Sequence, residues 1–228
     1  RLSNGGEHLT LINATGEIIQ QFAYNDGGSW PGRADGNGSS LEVIDLTANY
    51  NDPNNWRKST DFGGSPGTIG SMATSEILIN EVLANSDFRQ LDTVELFNPT
   101  DTDKNLSGWY LSDSTDNYFK YQFPAGTIIP AGGYLVLDER DFNAGGGTAN
   151  GDFLLSSLGD DLTLLSADAT GQPKQFIDRV EFAATRENVS LGRLHSDDAK
   201  SELVPQVRPT LGSSNLGHRA GDIIVSEV

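Results

Sequence analysis

The chain repeats itself, and this repeat constrains its fold more than any other feature of the sequence. LSNGGEHLTL at 2–11 returns as LSSLGDDLTL at 155–164, and ILINEV at 77–82 returns as IIVSEV at 223–228. The spacing indicates one module about 150 residues long. Such a period predicts tandem copies of one domain of ordinary size, and not a single large domain.

The repeated pairs divide the chain into one complete module and two fragments. We expect 1–70 to be the C-terminal half of a module, 76–215 a complete module, and 222–228 the first strand of a further one. The expected linkers are 71–75 and 216–221. The complete module can bury a sizeable core, whereas a half-sandwich leaves an apolar face and strand edges without partners.

Short segments of alternating polarity, bounded by Gly, Asn, Asp or Pro, dominate the chain. This pattern is typical of antiparallel strands in a sandwich or barrel. No window of a dozen residues sustains helical spacing, so we predict an all-β fold with at most single helical turns near 139–143 and 199–203. The predicted strands are 7–12, 17–24, 40–44, 76–83, 93–97, 108–112, 118–123, 133–138, 161–165, 175–182 and 190–194.

The amino-acid composition excludes several classes of binding partner for the chain. The chain carries 32 acidic and 15 basic residues, a net charge of −17, and no cysteine. Binding to nucleic acids and anionic membranes needs clustered Lys and Arg, and no apolar run approaches the roughly 20 residues of a membrane span. We therefore expect no nucleic-acid binding and no membrane insertion. The absence of cysteine excludes disulfides and thiolate metal sites.

An ordered series of motifs in the complete module resembles the lamin-tail domain, bacterial tandem extracellular type. The matching strings are INEV at 79–82, VELFNP at 94–99, LSGWYLSD at 106–113, FPAGTIIPAGGYLV at 123–136, GDDLTL at 159–164, SLGR at 190–193 and PTLGSSN at 209–215. The resemblance implies an immunoglobulin-like antiparallel β-sandwich, in tandem modules, on an extracellular or cell-surface protein.

The leading fragment resembles the second half of a bacterial version of this domain. Its matching strings are WP at 30–31, ADGNGSSLE at 34–42, NWR at 55–57 and GSPG at 64–67. Trp30 and Trp56 lie where core alternation is absent, so we expect them at the surface, as covers over the sandwich end or as a binding site. Trp109, in contrast, is expected to pack between the two sheets.

Asn80, Glu81, Glu95 and Arg193 form the clearest polar signature of the complete module. A pair of Glu side chains in a cleft can serve as acid and base. We favour a structural frame, in which these residues bond backbone groups at strand ends or pair with an Arg such as Arg193. Glu227 repeats Glu81, which supports the frame.

Acidic turns are the candidates for a metal. No cofactor is expected, but Ca²⁺ binds carboxylate and carbonyl oxygens, and a net charge of −17 would favour divalent cations. None of the turns follows an EF-hand loop, so solvated turn residues are the favoured interpretation. The candidates are Asp35, Asp101, Asp103, Asp113 and Asp116.

Three function classes remain open, and an enzyme is the one we favour least because no catalytic motif is present. The first is a non-catalytic structural or adhesive repeat, with other modules or other copies of the protein as partners. Its copies would assemble head to tail into fibres by donation of the strand that contains Ile223, Ile224, Val225 and Glu227. The alternative is a binding appendage of an extracellular hydrolase, a nuclease or a phosphatase.

Overall fold

The structure, a computed structural model, describes residues 2–72, 76–87, 90–143, 152–194 and 202–219. The chain divides into two compact units, residues 1–73 and 74–228, which we call unit 1 and unit 2. The division falls inside the expected linker 71–75. Among the described residues, no helix is long and apolar enough to cross a membrane.

Unit 1 consists of two antiparallel strand pairs and two short 3-10 turns. The first pair is a hairpin of β1 and β2, and the second pair joins β3 and β4. The bounds are β1 Glu7–Ile12, β2 Ile18–Tyr24, β3 Leu41–Val43 and β4 Trp56–Lys58, with 3-10 turns at Gly32–Ala34 and Pro53–Asn55.

Unit 2 contains two antiparallel sheets with a core between them. One sheet has the order β11-β6-β5-β14-β15, the other has the order β13-β12-β8-β9, and β10 pairs with β7. The bounds are β5 Leu78–Leu83, β6 Thr93–Phe97, β7 Lys104–Asn105, β8 Tyr110–Ser112, β9 Tyr121–Gln122, β10 Ile128–Ile129, β11 Tyr134–Asp138, α1 Glu139–Phe142, β12 Gly159–Ala167, β13 Pro173–Ala183, β14 Leu191–Arg193 and β15 Leu203–Pro205.

The core of unit 2 is made by alternate residues of both sheets. Val94 and Leu96 of β6 face Leu162 and Leu164 of β12, and all four are fully buried. Trp109 packs against this core but is only partly buried, so it closes the edge of the core instead of filling its centre. The prediction of an all-β antiparallel sandwich is confirmed.

Most predicted strands are present, and the differences lie at their ends. The segment predicted at 118–123 contributes only Tyr121–Gln122, because turn bonds through Ser114 and Asn117 hold the residues before it. The helical turn near 139–143 is α1, whose N-cap Asp138 forms a capping box with Asp141. The turn expected near 199–203 is wrong at its last residue, where β15 begins, and 199–201 lie outside the described residues.

The two units share one pairing pattern. The β1–β2 hairpin places Leu9 opposite Phe22, and the β12–β13 hairpin places Leu162 opposite Val180. Each hairpin has a Gly with positive φ at the start of its first strand, since Gly6 directly precedes β1 and Gly159 is the first residue of β12. A Cβ at Gly6 would lie 2.5 Å from the Tyr24 carbonyl oxygen, and one at Gly159 would lie 2.7 Å from that of Phe182. Both hairpins therefore need glycine at the same place.

The second strand pair recurs in the same way. In β3–β4, Leu41 lies opposite Lys58 and the Ser59 amide donates to the Ser40 carbonyl at 2.9 Å. The corresponding pairs in β14–β15 are Leu191 opposite Pro205 and the Gln206 amide donating to the Ser190 carbonyl at 2.8 Å. Unit 1 thus repeats the pairing of the last four described strands of unit 2, β12 with β13 and β14 with β15.

Candidate functional site

The polar site of unit 2 begins at a β-bulge in β5. Ile79 lies opposite Leu96 of β6, but Glu81 lies opposite Glu95, so Asn80 is one residue too many for the ladder. A bulge of this kind brings two successive side chains to the same face of the sheet. It therefore places Asn80 and Glu81 together, next to Glu95.

The bulge also changes which residues of β5 face the core. Ile77 and Ile79 are in the core before the bulge, whereas Val82 and Ala84 are in the core after it. Because side chains alternate between the two faces of a strand, Glu81 lies on the outer face of its sheet. That face is covered by residues 209–215, which we call the closing segment.

Glu81 is completely buried and accepts hydrogen bonds from two parts of unit 2. The backbone amide of Thr210 lies 2.9 and 3.2 Å from its two carboxylate oxygens, and the Thr210 hydroxyl donates at 2.6 Å. The Ser190 hydroxyl, just before β14, donates to the same carboxylate. Glu81 therefore fastens the closing segment to the sheet, since a buried carboxylate needs such donors.

Glu95 is the second buried carboxylate. Burial raises its pKa above the ordinary value of 4.5, while hydrogen bonds from Asn80 and Gly212 act in the opposite direction and the nearby charge of Glu81 raises it further. The Asn80 amide donates at 2.7 Å, and the backbone N–H of Gly212 is the second donor. Two neighbouring strands thus hold the closing segment through one carboxylate each.

Asn215 ends the closing segment and bonds back to the sheet. Its side-chain amide donates to the Asn80 backbone carbonyl at 3.3 Å and to the Arg193 backbone carbonyl at 3.0 Å. Its own oxygen accepts from the Asn80 amide at 3.1 Å. Asn80 therefore links Glu95 and the last residue of the closing segment.

Arg193 has a different acid partner from those expected. Its guanidinium donates to the Ile79 carbonyl at 2.8 Å and pairs with Asp178 of β13, and only 4% of its side chain is exposed. Burial raises the pKa of Asp178 in spite of the Arg193 charge, and lowers the pKa of Arg193. The suggested pairing of Arg193 with a Glu of the frame is wrong, since both Glu side chains are bonded to the closing segment and Asn80.

Sequence reasoning missed Asp178, although a signal was present. Val180 and Phe182 are core residues at alternating positions of β13, and Asp178 lies opposite the core residue Leu164, so it is on the same inward face. A carboxylate at an inward position of a strand predicts a buried cation or donor nearby. Its carboxylate also accepts the Ile79 backbone amide at 2.7 Å, so it joins β13 to β5 across the two sheets.

The two tryptophans singled out in unit 1 pack within their own unit. Trp30 and Trp56 lie 5.8 Å apart between ring centroids, and Phe22 and Tyr50 lie 5.3 and 5.7 Å from Trp56. The Trp56 indole N–H donates to the Tyr50 carbonyl at 2.8 Å. Both tryptophans are half-buried, so they form an aromatic cluster and are less accessible than expected.

A groove of about 640 Å³ lies beside this cluster. It separates the β1–β2 hairpin from β3 and β4 within unit 1. Its apolar lining includes Leu9, Phe22, Tyr24, Leu41 and Trp56. The groove is therefore bounded by the side chains that correspond to core residues of unit 2.

The calcium candidates do not come together. The Asp103 carboxylate accepts the Ala131 amide at 3.0 Å, while that of Asp113 lies 2.7 Å from the Lys120 ammonium and 2.8 Å from the Leu154 amide. Within the described ranges, no group of three or more His, Cys, Asp or Glu side chains is arranged to hold a metal ion. Three candidates are exposed turn residues, Asp35, Asp101 and Asp116. The assembly residues Ile223, Ile224, Val225 and Glu227 lie outside the described residues, as does the expected strand 222–228.

These features define an immunoglobulin-like β-sandwich whose closing segment is held by buried carboxylates. The model of the Lamin Tail Domain family matches residues 70–183, half of the chain. The chain belongs to this family, as its motifs indicated, and the family is one of non-catalytic immunoglobulin-like domains. No curated protein matches the sequence. The strands β14 and β15 and the closing segment follow the matched residues and complete one sheet.

Proposed function

We propose that this chain is a non-catalytic structural or adhesive repeat of a large secreted or cell-surface bacterial protein. Its modules are the load-carrying units of an array, and copies associate head to tail by strand donation. No cofactor takes part in this function. The partners are neighbouring modules or other copies of the protein.

The use of the two buried carboxylates carries the proposal. Glu81 and Glu95 are 0% exposed, and their oxygens accept hydrogen bonds from Thr210, Ser190, Asn80 and Gly212. An acid and base pair must contact a substrate, whereas these groups contact the closing segment. A mechanical role is best supported, because buried, charge-assisted hydrogen bonds fasten the closing segment to β5 and β6.

Recurrence of the pairing pattern supports an array. The Gly at the start of each hairpin, Gly6 and Gly159, and the matching pairs made by Leu41 and Leu191 support an array of units of one design. Arrays of such units bear mechanical load and offer an extended surface for binding. Their stability depends on each unit and on its contacts with its neighbours.

The first test addresses catalysis directly. We expect no turnover of phosphodiester, phosphomonoester, glycoside or peptide substrates by the purified chain. The matched variant is Glu81→Gln, whose folding is checked by circular dichroism. Activity that disappears in a folded Glu81→Gln protein would contradict the non-catalytic role.

The second test addresses assembly. Sedimentation velocity over a range of concentrations should show association of the chain that a variant lacking residues 222–228 has lost. Polymers that persist in the shortened variant would refute strand donation.

One observation favours the second candidate function, a binding appendage of an extracellular hydrolase. The groove of unit 1 is lined by aromatic rings, among them Phe22, Tyr24 and Trp56, and such surfaces suit planar or sugar ligands. Intrinsic tryptophan fluorescence titrated with oligosaccharides and nucleotides tests this function. Saturable quenching that Trp56→Phe removes would favour the appendage over the structural repeat.

A further inference from the structure

The two units differ at one edge of one strand. In unit 2, β14 lies between β15 and β5, with Leu191 opposite Val82 and Gly192 opposite Glu81. In unit 1, the corresponding strand β3 pairs with β4, and among the described residues no strand pairs with its other edge. An unpaired strand edge presents backbone donors and acceptors to any matching strand.

The backbone of β3 shows which residues face that edge. The Ser40 carbonyl accepts from Ser59 at 2.9 Å, and the Ile44 amide donates to Asn55 at 2.8 Å, both on the β4 side. Backbone groups alternate between the two edges of a strand. The N–H and C=O groups of Leu41 and Val43 therefore point to the unpaired edge.

The side chains next to that edge are apolar and more exposed than their counterparts in unit 2. Leu162 and Val180 of unit 2 are 0% and 5% exposed, because β5 and its neighbours cover them. Their counterparts Leu9 and Phe22 are only half-buried and line the 640 Å³ groove together with Leu41. The groove thus occupies the place that a β5-like strand would fill.

We propose that this groove and the edge of β3 bind residues 223–228 of a second copy of the chain. The inference rests on the head-to-tail assembly proposed above and names its docking site. Residues 223–228 repeat 77–82, the segment that contains β5 in unit 2. The same register places Val228 opposite Leu41 and Glu227 opposite Glu42, with Val225 at the inward position of Ile79.

Polar groups of unit 1 match the carboxylate that this strand would bring. Glu81 accepts from Ser190 and Thr210, and the same places in unit 1 are held by Ser40 and Ser65. The Ser65 hydroxyl donates to Glu42 at 2.6 Å. Within the described part of the chain, the Ser40 hydroxyl and the Ser65 amide donate to no atom.

Those two donors are therefore free to bind the Glu227 carboxylate, as their counterparts bind Glu81. A second carboxylate beside Glu42 would be repelled if no cation were near. The Arg57 guanidinium supplies that cation, because it lies 3.0 Å from the Glu42 carboxylate.

The numbers of strands agree with a head-to-tail arrangement. The sequence contains two β5-type segments, 77–82 and 223–228, and two strands of the β14 type, β3 and β14. Unit 2 uses one of each. The segment 223–228 and the strand β3 are the two that unit 2 does not use, and their pairing between copies is a heterologous contact that builds open chains of copies.

The test combines sedimentation velocity with amide hydrogen exchange of the full chain, measured by NMR. We expect concentration-dependent association, with slow exchange at Leu41 and Val43 in the associated state. Val225→Asp should weaken association at least about tenfold, because it would bury a charge in the groove. Glu227→Ala should weaken it about tenfold, through loss of charge-assisted hydrogen bonds. The matched control, Ser226→Ala on the outer face, should stay within about twofold of the wild type.

Each outcome decides the proposal. Association with slow exchange at Leu41 and Val43 that Val225→Asp reverses supports it. Association with fast exchange at both amides overturns the docking site but leaves the assembly function in place. A monomer with slow exchange overturns the second copy as the source, because the strand then comes from the same molecule. A monomer with fast exchange overturns both the docking site and the assembly.

Discussion

Units 1 and 2 have the same strand register but very different burial. Leu164 in β12 is fully buried, whereas Leu11, at the same place in β1, is 59% exposed. The hairpins are alike because a Gly and the pairing of adjacent strands determine them locally. Burial depends on the extent of the facing sheets, which have five and four strands in unit 2 but only two strands each in the described part of unit 1. Register and burial are therefore separate properties of one sequence pattern.

A second difference between the units is an exchange of side-chain size around one position of β14 and β3. In unit 2, Gly192 is flanked by Gln206 and Asn215, and a Cβ on it would lie 2.5 Å from the Gln206 amide nitrogen. In unit 1 the glycine position is Glu42, and the flanking positions are Ser59 and Gly70. A large residue on the strand is thus matched by small neighbours, and a small residue by large ones.

The largest expected difference between the units is in how much their ion pairs contribute to stability. Arg193→Met should destabilise unit 2 by about 4 kcal/mol, because it leaves the buried Asp178 carboxylate without its cation. Arg57→Met should change the stability of unit 1 by less than about 1 kcal/mol, since its pair with Glu42 is partly solvated. Urea unfolding followed by NMR, which reports each unit separately, measures both.

Equal effects of the two Arg variants would break this comparison. The double variant Arg193→Met with Asp178→Leu provides the control, because it removes both charges. It should recover part of the lost stability, as the replacement of buried ion pairs by apolar residues often does.

The second prediction uses the two equivalent leucines. Leu164→Ala should cost about 3 kcal/mol in unit 2, as the loss of a fully buried leucine does. Leu11→Ala should cost at most about 0.5 kcal/mol in unit 1, because that side chain is already exposed. Thermal unfolding of both variants, with residue-resolved detection, compares them. A large loss for Leu11→Ala would show that a covering strand is present over unit 1 in solution.

The alternation of polar and apolar residues predicts strands well where one face is buried. The segments 7–12 and 93–97 are strands with these same bounds, since hydrophobic alternation and turn residues determine both. β4 and β15, three residues each, were not predicted, and they form by pairing with β3 and β14. Tertiary contacts decide strands of this length.

The residues of the polar frame could be predicted from the sequence, but their hydrogen-bond partners could not. A Glu on β5 and a Glu on β6 can be recognised from the sequence as Glu81 and Glu95. Their partners in the closing segment are more than 100 positions away along the chain, and Asn80 joins them only through the bulge. A bulge moves a side chain to the other face without any clear local signal.

The third prediction tests the exchange of size at the closing segment. Gly192→Ala should destabilise unit 2 by about 2 kcal/mol, because the new methyl group overlaps Gln206 and Asn215. Gln206→Ser introduces the residue of unit 1 and should cost less in the Gly192→Ala background than alone. A double-mutant cycle measured by urea unfolding gives the coupling. Strictly additive losses would contradict the idea that these residues compensate for each other.

The smallest effect concerns pH. Burial raises the pKa of Glu95 in the folded protein above its ordinary value of 4.5. At pH values between 4.5 and the folded pKa, the folded chain therefore binds a proton that the unfolded chain has released. The stabilising effect of this protonation is fully present below pH 4.5, and it is lost as pH rises through the folded pKa. Burial also raises the pKa values of Asp178 and Asp160, so these residues contribute a pH dependence of the same sign to the stability of unit 2.

Glu95→Gln should therefore reduce this slope without abolishing it, as measured by the free energy of unfolding at a series of pH values from about 4 to 8. The matched control is Glu42→Gln, which removes the unit 1 carboxylate that accepts from the Ser65 hydroxyl and should leave the pH profile of unit 2 unchanged. An identical slope in Glu95→Gln and wild type would mean that Glu95 is ionised throughout this range. The Asn80 and Gly212 hydrogen bonds would then offset the whole cost of burying its charge.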